Sequence, residues 1–195
     1  MKTYSELVAY VKTRLGDSQR FKHTLMVVDT AKKLAAINGA DVQKAEIAAL
    51  LHDVTKHETP EFHKTCIASF FGPEEYRKWP EPIWHALSAV VVAKQDLMID
   101  DVDILAAIQY HTSGRPNMSL LEKIIFVADF IEPTRPFDNH EYYDLAMNNL
   151  DKSVAVILKS LHHYLIARGE TPVSEGVEAL RYYQYLLEEE NGRTT

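Results

Sequence analysis

Apolar residues recur along this chain at intervals of three and four almost from its first residues, the period of a helix with one face turned to a core. Leu7, Val8, Val11 and Leu15 share a face and predict a helix over about 4–15. Asp17 or Ser18 can cap a longer helix that runs to about Ile37 and stops at Asn38-Gly39. Asp41 can cap a third, which turns Ala45, Ile47, Ala48, Leu50 and Leu51 inward. Shorter helices are expected near 59–70 and 73–78. Pro80 and Pro82 lead into another over about 83–94, and a helix over about 101–111 ends in the loop Thr112-Ser113-Gly114-Arg115-Pro116-Asn117. Ser119 and Glu122 have capping-box spacing at the head of an apolar helix reaching about Ile131, which Glu132-Pro133-Thr134-Arg135-Pro136 stops. Runs over 139–167, which admits a break, and 174–190 close the chain. No segment alternates with the period of two that marks a half-buried strand. The pattern predicts an all-α fold. No repeat or Pro/Gly/Ser-rich linker divides it, so one domain is expected over 1–195, its core in about 18–135 and the helices of 139–190 packed on that core.

Composition narrows the function classes. A chain of 195 residues supports one hydrophobic core, and its 46% apolar and 25% charged residues match an ordinary globular domain. A net charge of −7 argues against a partner such as duplex nucleic acid, which needs a broad basic surface. It leaves room for a small polyphosphate, whose charge metal ions and a few local cations can meet. One cysteine, Cys66, can form neither an internal disulfide nor a thiolate metal site, which points to a reducing compartment. The start enters a helical pattern at once without the apolar core of a signal peptide, and no stretch approaches the roughly 18 apolar residues of a membrane span. A soluble, cytoplasmic protein without a membrane partner is the expectation.

The chemistry lies in polar residues set where apolar ones belong. In Ala49-Leu50-Leu51-His52-Asp53-Val54-Thr55-Lys56 an apolar helix end delivers an imidazole, a carboxylate and an ammonium together. An adjacent His-Asp pair can ligate one metal, and its carboxylate can bridge to a second; alone, the pair reads equally as a helix end with a solvated cap. His23 borders the apolar stripe of its helix, His85 stands between Trp84 and Ala86-Leu87, and His111 ends the run from Ile104 to Tyr110. Asp129 interrupts Ile124-Ile125-Phe126-Val127-Ala128 and Phe130-Ile131. A carboxylate there faces a desolvation cost of several kcal/mol unless it is paired or metal-bound. Pairing with Arg135 or Lys56 is the structural alternative, and each histidine alone reads as a hydrogen-bonded core or rim residue. Four histidines and two aspartates together point to metal. His57, His63, His140, His162 and His163 read as surface or packing residues.

The order His23, His52-Asp53, His85, His111, Asp129 resembles the HD-domain superfamily of metal phosphohydrolases in its two-metal form. The resemblance implies that His23, His52, Asp53 and Asp129 hold one metal, and that His85, His111 and a bridging Asp53 hold the second. Leu51-His52-Asp53-Val54-Thr55-Lys56, Tyr110-His111-Thr112-Ser113-Gly114 and Lys123 through Arg135 are similar to the YqeK-type symmetrical bis(5′-nucleosyl)-tetraphosphatases, with a weaker echo from Pro172 to Arg181. Those are bacterial enzymes that use iron to split diadenosine tetraphosphate into two ADP. Departures are Ser113 for a second threonine, Ala86-Leu87-Ser88 for a glycine-bearing stretch, and Ser174 where histidine is common.

The resemblance implies a single HD-type helical bundle with a binuclear centre of iron, manganese or zinc, a choice the ligand types leave open. Catalysis is expected from Asp53 and Lys56. Phosphate and nucleoside contacts are expected from His23, Lys56, His85, His111, Thr112, Arg135 and Arg181, with Arg20 orienting Asp53 or the phosphates; the alternative reading of Lys56, Arg135 and Arg20 is a solvated surface charge. The expected substrate is a dinucleoside polyphosphate, with capped RNA ends a further candidate. Rivals are an HD phosphohydrolase for another nucleotide, a nucleotide-sensing module without turnover, and a metal-storage or oxygen-binding helical bundle.

Overall fold

A computed structural model describes residues 2–193. It contains ten α-helices: α1 (Tyr4–Leu15), α2 (Gln19–Asn38), α3 (Val42–Leu51), α4 (Pro60–Phe71), α5 (Trp84–Gln95), α6 (Val102–Tyr110), α7 (Leu120–Ile131), α8 (His140–Asn148), α9 (Leu150–Ala167) and α10 (Ser174–Arg193). Two 3-10 turns, Glu75–Lys78 and Glu81–Ile83, link α4 to α5. No strand forms among the described residues, and none of their helices is long and apolar enough to cross a membrane.

Local chemistry explains the boundaries. Ser18 accepts a hydrogen bond from the Phe21 amide, Asp41 from the Gln43 and Lys44 amides, and Asp101 from those of Asp103 and Ile104. Each satisfies N–H groups that a helix start leaves without partners. Ser119 and Glu122 form the expected capping box. Gly39 ends α2 with φ of 70°, a left-handed conformation that a side chain disfavours. The expected break in 139–167 falls at Asn149, which closes α8 and whose side chain caps α9 by accepting from the Lys152 amide. The short helix expected near 73–78 is a 3-10 turn.

α2 packs on α3 and α7, and α6 packs on α3, α5 and α7, so these five helices enclose the main core. Leu34, Leu50, Leu51, Ile108, Ile124, Ile125 and Phe126 lie fully inside it. α9 covers α7 on one side and carries α8 and α10 outward. The functional residues sit where three of the core helices end or begin: His52 caps the C-terminus of α3, His111 that of α6, and His85 is the second residue of α5.

Candidate metal centre

His23, His52, Asp53, His85 and His111 are all buried, and Asp129 is partly so. They converge. Asp53 Oδ2 lies 3.4 Å from His52 Nε2 and 3.9 Å from His23 Nε2. Its other oxygen, Oδ1, lies 3.2 Å from His85 Nε2 and 3.7 Å from His111 Nε2. Asp129 Oδ1 closes the first side at 3.0 Å from His23 Nε2 and 3.7 Å from His52 Nε2. One carboxylate thus divides four imidazoles into two pairs, with the second carboxylate on the His23–His52 side.

Backbone carbonyls fix the rings. His52 Nδ1 donates to Ala49 O at 2.6 Å, His111 Nδ1 to Ile108 O at 2.7 Å, and His85 Nδ1 to Pro82 O at 2.8 Å. A carbonyl can only accept, so each Nδ1 carries the proton and each Nε2 presents a lone pair to the centre. His23 reaches the same state differently: its Nδ1 donates to Glu132 Oε1 at 3.0 Å, and Glu132 is almost wholly buried. Glu132 also accepts from the backbone amide and hydroxyl of Thr134.

The fit to a metal shows in what the protein leaves unpaired. His23 Nε2, His52 Nε2 and Asp53 Oδ1 are buried without a hydrogen-bond partner among the described residues. His23 Nε2 is near Asp129 but not aligned for a hydrogen bond. Orphaned buried acceptors carry a desolvation cost of about 1–3 kcal/mol each, which a cation among them removes. The atoms of His23, His52 and Asp129 lie within 4.8 Å of one another, as do those of His52, Asp53 and His111. His85 Nε2 faces His111 Nε2 at 3.2 Å, and both lone pairs would be available to hold a cation. Burial pushes the His85 imidazole down to about 4, against the pull of Asp53, which keeps it neutral as a ligand must be. Burial alone would raise the carboxyls of Asp53 and Asp129. The Arg135 guanidinium beside Asp129 outweighs it there and holds that carboxyl well below the usual carboxylate range.

Charged and hydroxyl groups ring the cluster. Arg20 Nη1 donates to Asp53 Oδ2 at 2.9 Å. Lys56 Nζ lies 3.1 Å and 3.2 Å from the two ring nitrogens of His85 and 3.9 Å from Asp53 Oδ1, and burial pushes its ammonium down. Thr112 Oγ1 lies 3.1 Å from His111 Nε2. Arg135 turns its guanidinium back onto both the carboxylate and the carbonyl of Asp129. The pairing set out as the alternative to metal therefore coexists with the cluster. Arg181 does not join it: the residue is exposed on α10.

A hydroxyl network missed from the sequence supports His85. Thr55 Oγ1 donates to His85 O at 2.9 Å, Ser88 Oγ lies 2.8 Å from Thr55 Oγ1, and His63 Nδ1 lies 2.8 Å from Ser88 Oγ. His63, among charged residues in sequence, is a buried packing residue. Glu132 was missed as well, since it read only as part of a helix stop. The one available signal was its place three residues after Asp129, on the same helix face.

Several clefts open beside the cluster: a smaller one includes Lys56 and His85, another Arg20 and His23, and two larger ones meet at Thr112. One of the larger two, of about 570 Å³, is lined by Pro82, Ile83, Leu158, Leu165, Pro172 and Val173 among others. The second, of about 600 Å³, includes His111, Asp129, Arg135 and Phe137. Thr112, Leu161 and Tyr164 line both.

An all-helical bundle that aims four imidazoles and two carboxylates at one buried point defines a histidine–aspartate metal-site protein. Comparison with known proteins narrows that class: residues 20–134 match the HD domain model, and the chain belongs to the HD domain family. It is 40% identical over 166 residues to the symmetrical bis(5′-nucleosyl)-tetraphosphatase of Bacillus subtilis, covering 85% of this chain and 89% of the relative. It is 37% identical to the Halalkalibacterium halodurans protein of the same name, covering 92% and 95%. A crystal structure from Clostridium acetobutylicum, of a predicted HD superfamily hydrolase involved in NAD metabolism, superposes with a TM-score of 0.87 at 37% identity, covering 95% of this chain and 98% of the other.

Proposed function

We propose that this protein hydrolyses dinucleoside tetraphosphates, diadenosine tetraphosphate among them, into two nucleoside diphosphates at a two-metal centre. The observation that carries the reading is Asp53, whose two oxygens face different pairs of histidines. That arrangement suits a carboxylate shared between two ions. His23, His52 and Asp129 complete one side, and His85 and His111 the other. The relatives from Bacillus subtilis and Halalkalibacterium halodurans carry the name of this activity, and all six side chains are present here. Imidazoles and carboxylates in this mixture suit iron, manganese or zinc, and the family resemblance favours iron.

When bound, ions at such a site supply Lewis acidity, making water nucleophilic near neutral pH and offsetting phosphate charge. The protein's own groups position the rest. Arg20 holds the Asp53 carboxylate in place, and Arg135 holds Asp129. Lys56 keeps a positive charge at the rim for a phosphate oxygen, and Thr112 offers its hydroxyl. In the reaction a water oxygen bonds to one of the two central phosphorus atoms. The bond from that phosphorus to the central bridging oxygen breaks in line, the electron pair leaves on that oxygen, and the water's protons pass to solvent. Two nucleoside diphosphates result.

A substrate panel with product identification tests the reading. Diadenosine tetraphosphate, a capped RNA, a deoxynucleoside triphosphate, a nucleoside monophosphate and a cyclic dinucleotide are each incubated with metal-loaded protein. ADP as sole product from the first, at the highest kcat/KM of the panel, is expected. Orthophosphate or free nucleoside as the main product overturns it.

A further inference from the structure

We propose that the cavity between α7 and α9, floored by Phe126 and Phe130 and rimmed by Phe137 and Tyr164, seats the second nucleoside of a two-ended substrate. This rests on the reading of the substrate as a dinucleoside tetraphosphate. Cutting such a molecule at its midpoint requires comparable room on both sides of the cut. The two larger cavities at the centre meet that requirement: they measure about 570 and 600 Å³ and share Thr112, Leu161 and Tyr164 as a dividing wall. Both volumes fall within the roughly 300–1,000 Å³ range of small-molecule sites. The wall stands at the metal centre, since Thr112 Oγ1 is 3.1 Å from His111 Nε2. A phosphate chain lying across it places one nucleoside in each cavity.

The cavities differ in lining, and the second is the one built for stacking. Phe137 is 42% exposed and Tyr164 58% exposed, a large aromatic surface left open to solvent on either side of a concave site. Phe137 is held from behind by Phe130, with ring centroids 5.2 Å apart, and Phe130 by Tyr142 at 5.0 Å. Supported rings of this kind present flat faces to a base and tolerate any base. Ser160 supplies the polar contact: its hydroxyl accepts from Tyr142 at 3.2 Å and keeps its own proton for a ribose or base edge. Arg135 stands at the inner end, where the phosphates leave the nucleoside. Beyond the shared Tyr164, the first cavity offers mainly prolines and aliphatic side chains, with His162, Glu170 and Thr171 among them, and no phenylalanine.

The test compares a two-ended with a one-ended substrate, diadenosine tetraphosphate against adenosine 5′-tetraphosphate, which can seat its single nucleoside in the first cavity. Phe137→Ala is expected to raise KM for the two-ended substrate about tenfold more than for the one-ended one, the size of one lost stacking contact. Phe137→Tyr is expected to restore the wild-type ratio. Ser160→Leu, which fills the same cavity from α9, is expected to reproduce the selective loss should the first variant fold poorly. Equal effects on both substrates, or none, overturn the second subsite. Wild-type protein that releases no ADP from the two-ended substrate overturns instead the activity on which this inference rests.

Discussion

Glu132, at the end of α7, and His23, on α2, meet in a buried contact in which the imidazole Nδ1 donates to the carboxylate at 3.0 Å. The contact fixes which nitrogen of His23 faces the centre. A carboxylate behind a ligating imidazole also raises its basicity. Glu132→Gln keeps the shape and removes the charge. Metal-stripped variant protein, titrated with metal, is expected to bind about 10- to 100-fold more weakly than wild type. Unchanged affinity would reduce the contact to a packing role.

His52→Ala and Asp53→Ala each remove a group at the middle of the cluster. Both are expected to abolish metal-dependent hydrolysis while circular dichroism shows helical content close to wild type, because the surrounding core is formed by other residues. Near-wild-type turnover in either would mean that the centre is assigned to the wrong residues.

Lys56 touches His85 but stands at the rim. Lys56→Ala is expected to lower kcat/KM about 10- to 100-fold, the range of one lost charge-assisted hydrogen bond. Metal bound per chain, measured by elemental analysis, should stay constant. Parallel loss of metal and activity would make Lys56 a support for His85 rather than a phosphate contact.

His63 sets an acid limit. Burial pushes its imidazole below the ordinary value, with Glu58 pulling the other way. Below about pH 6.5 the unfolded chain therefore takes up a proton that the folded one resists, and stability falls from there down to the lowered folded value. His162, also lowered by burial, acts in the same direction. In metal-free protein, His63→Gln is expected to flatten the dependence of the urea midpoint on pH below about 6.5. An identical slope in variant and wild type would remove His63 from the account.

The helices were legible because their caps and apolar faces are local. Ser18, Asp41 and the Ser119–Glu122 pair mark their helix starts within a few residues. The six central side chains were legible because each breaks an apolar pattern, Asp129 most of all. The residues around them were harder to read. Glu132 sits beside a proline where a solvated cap is the ordinary reading, and only the approach of α2 buries it. Ser88 and His63 lie 25 residues apart, and their contact exists because α4 packs on α5. Arg181, expected from the echo in 172–181 to contact a base or ribose, lies exposed on α10, apart from the six central side chains. Patterns along the chain identify polar residues that burial makes costly, but their supports depend on which helices meet.

Backbone carbonyls and Glu132 orient the four imidazoles, so the ligating atoms converge through the polypeptide alone. The orientation of the rings therefore rests on contacts the chain itself makes. Such a site is expected to act as a socket that takes its ions back after they are stripped. The share of working molecules is then expected to follow the supply of cations around them, and a change of occupant to retune the rate without disturbing the scaffold.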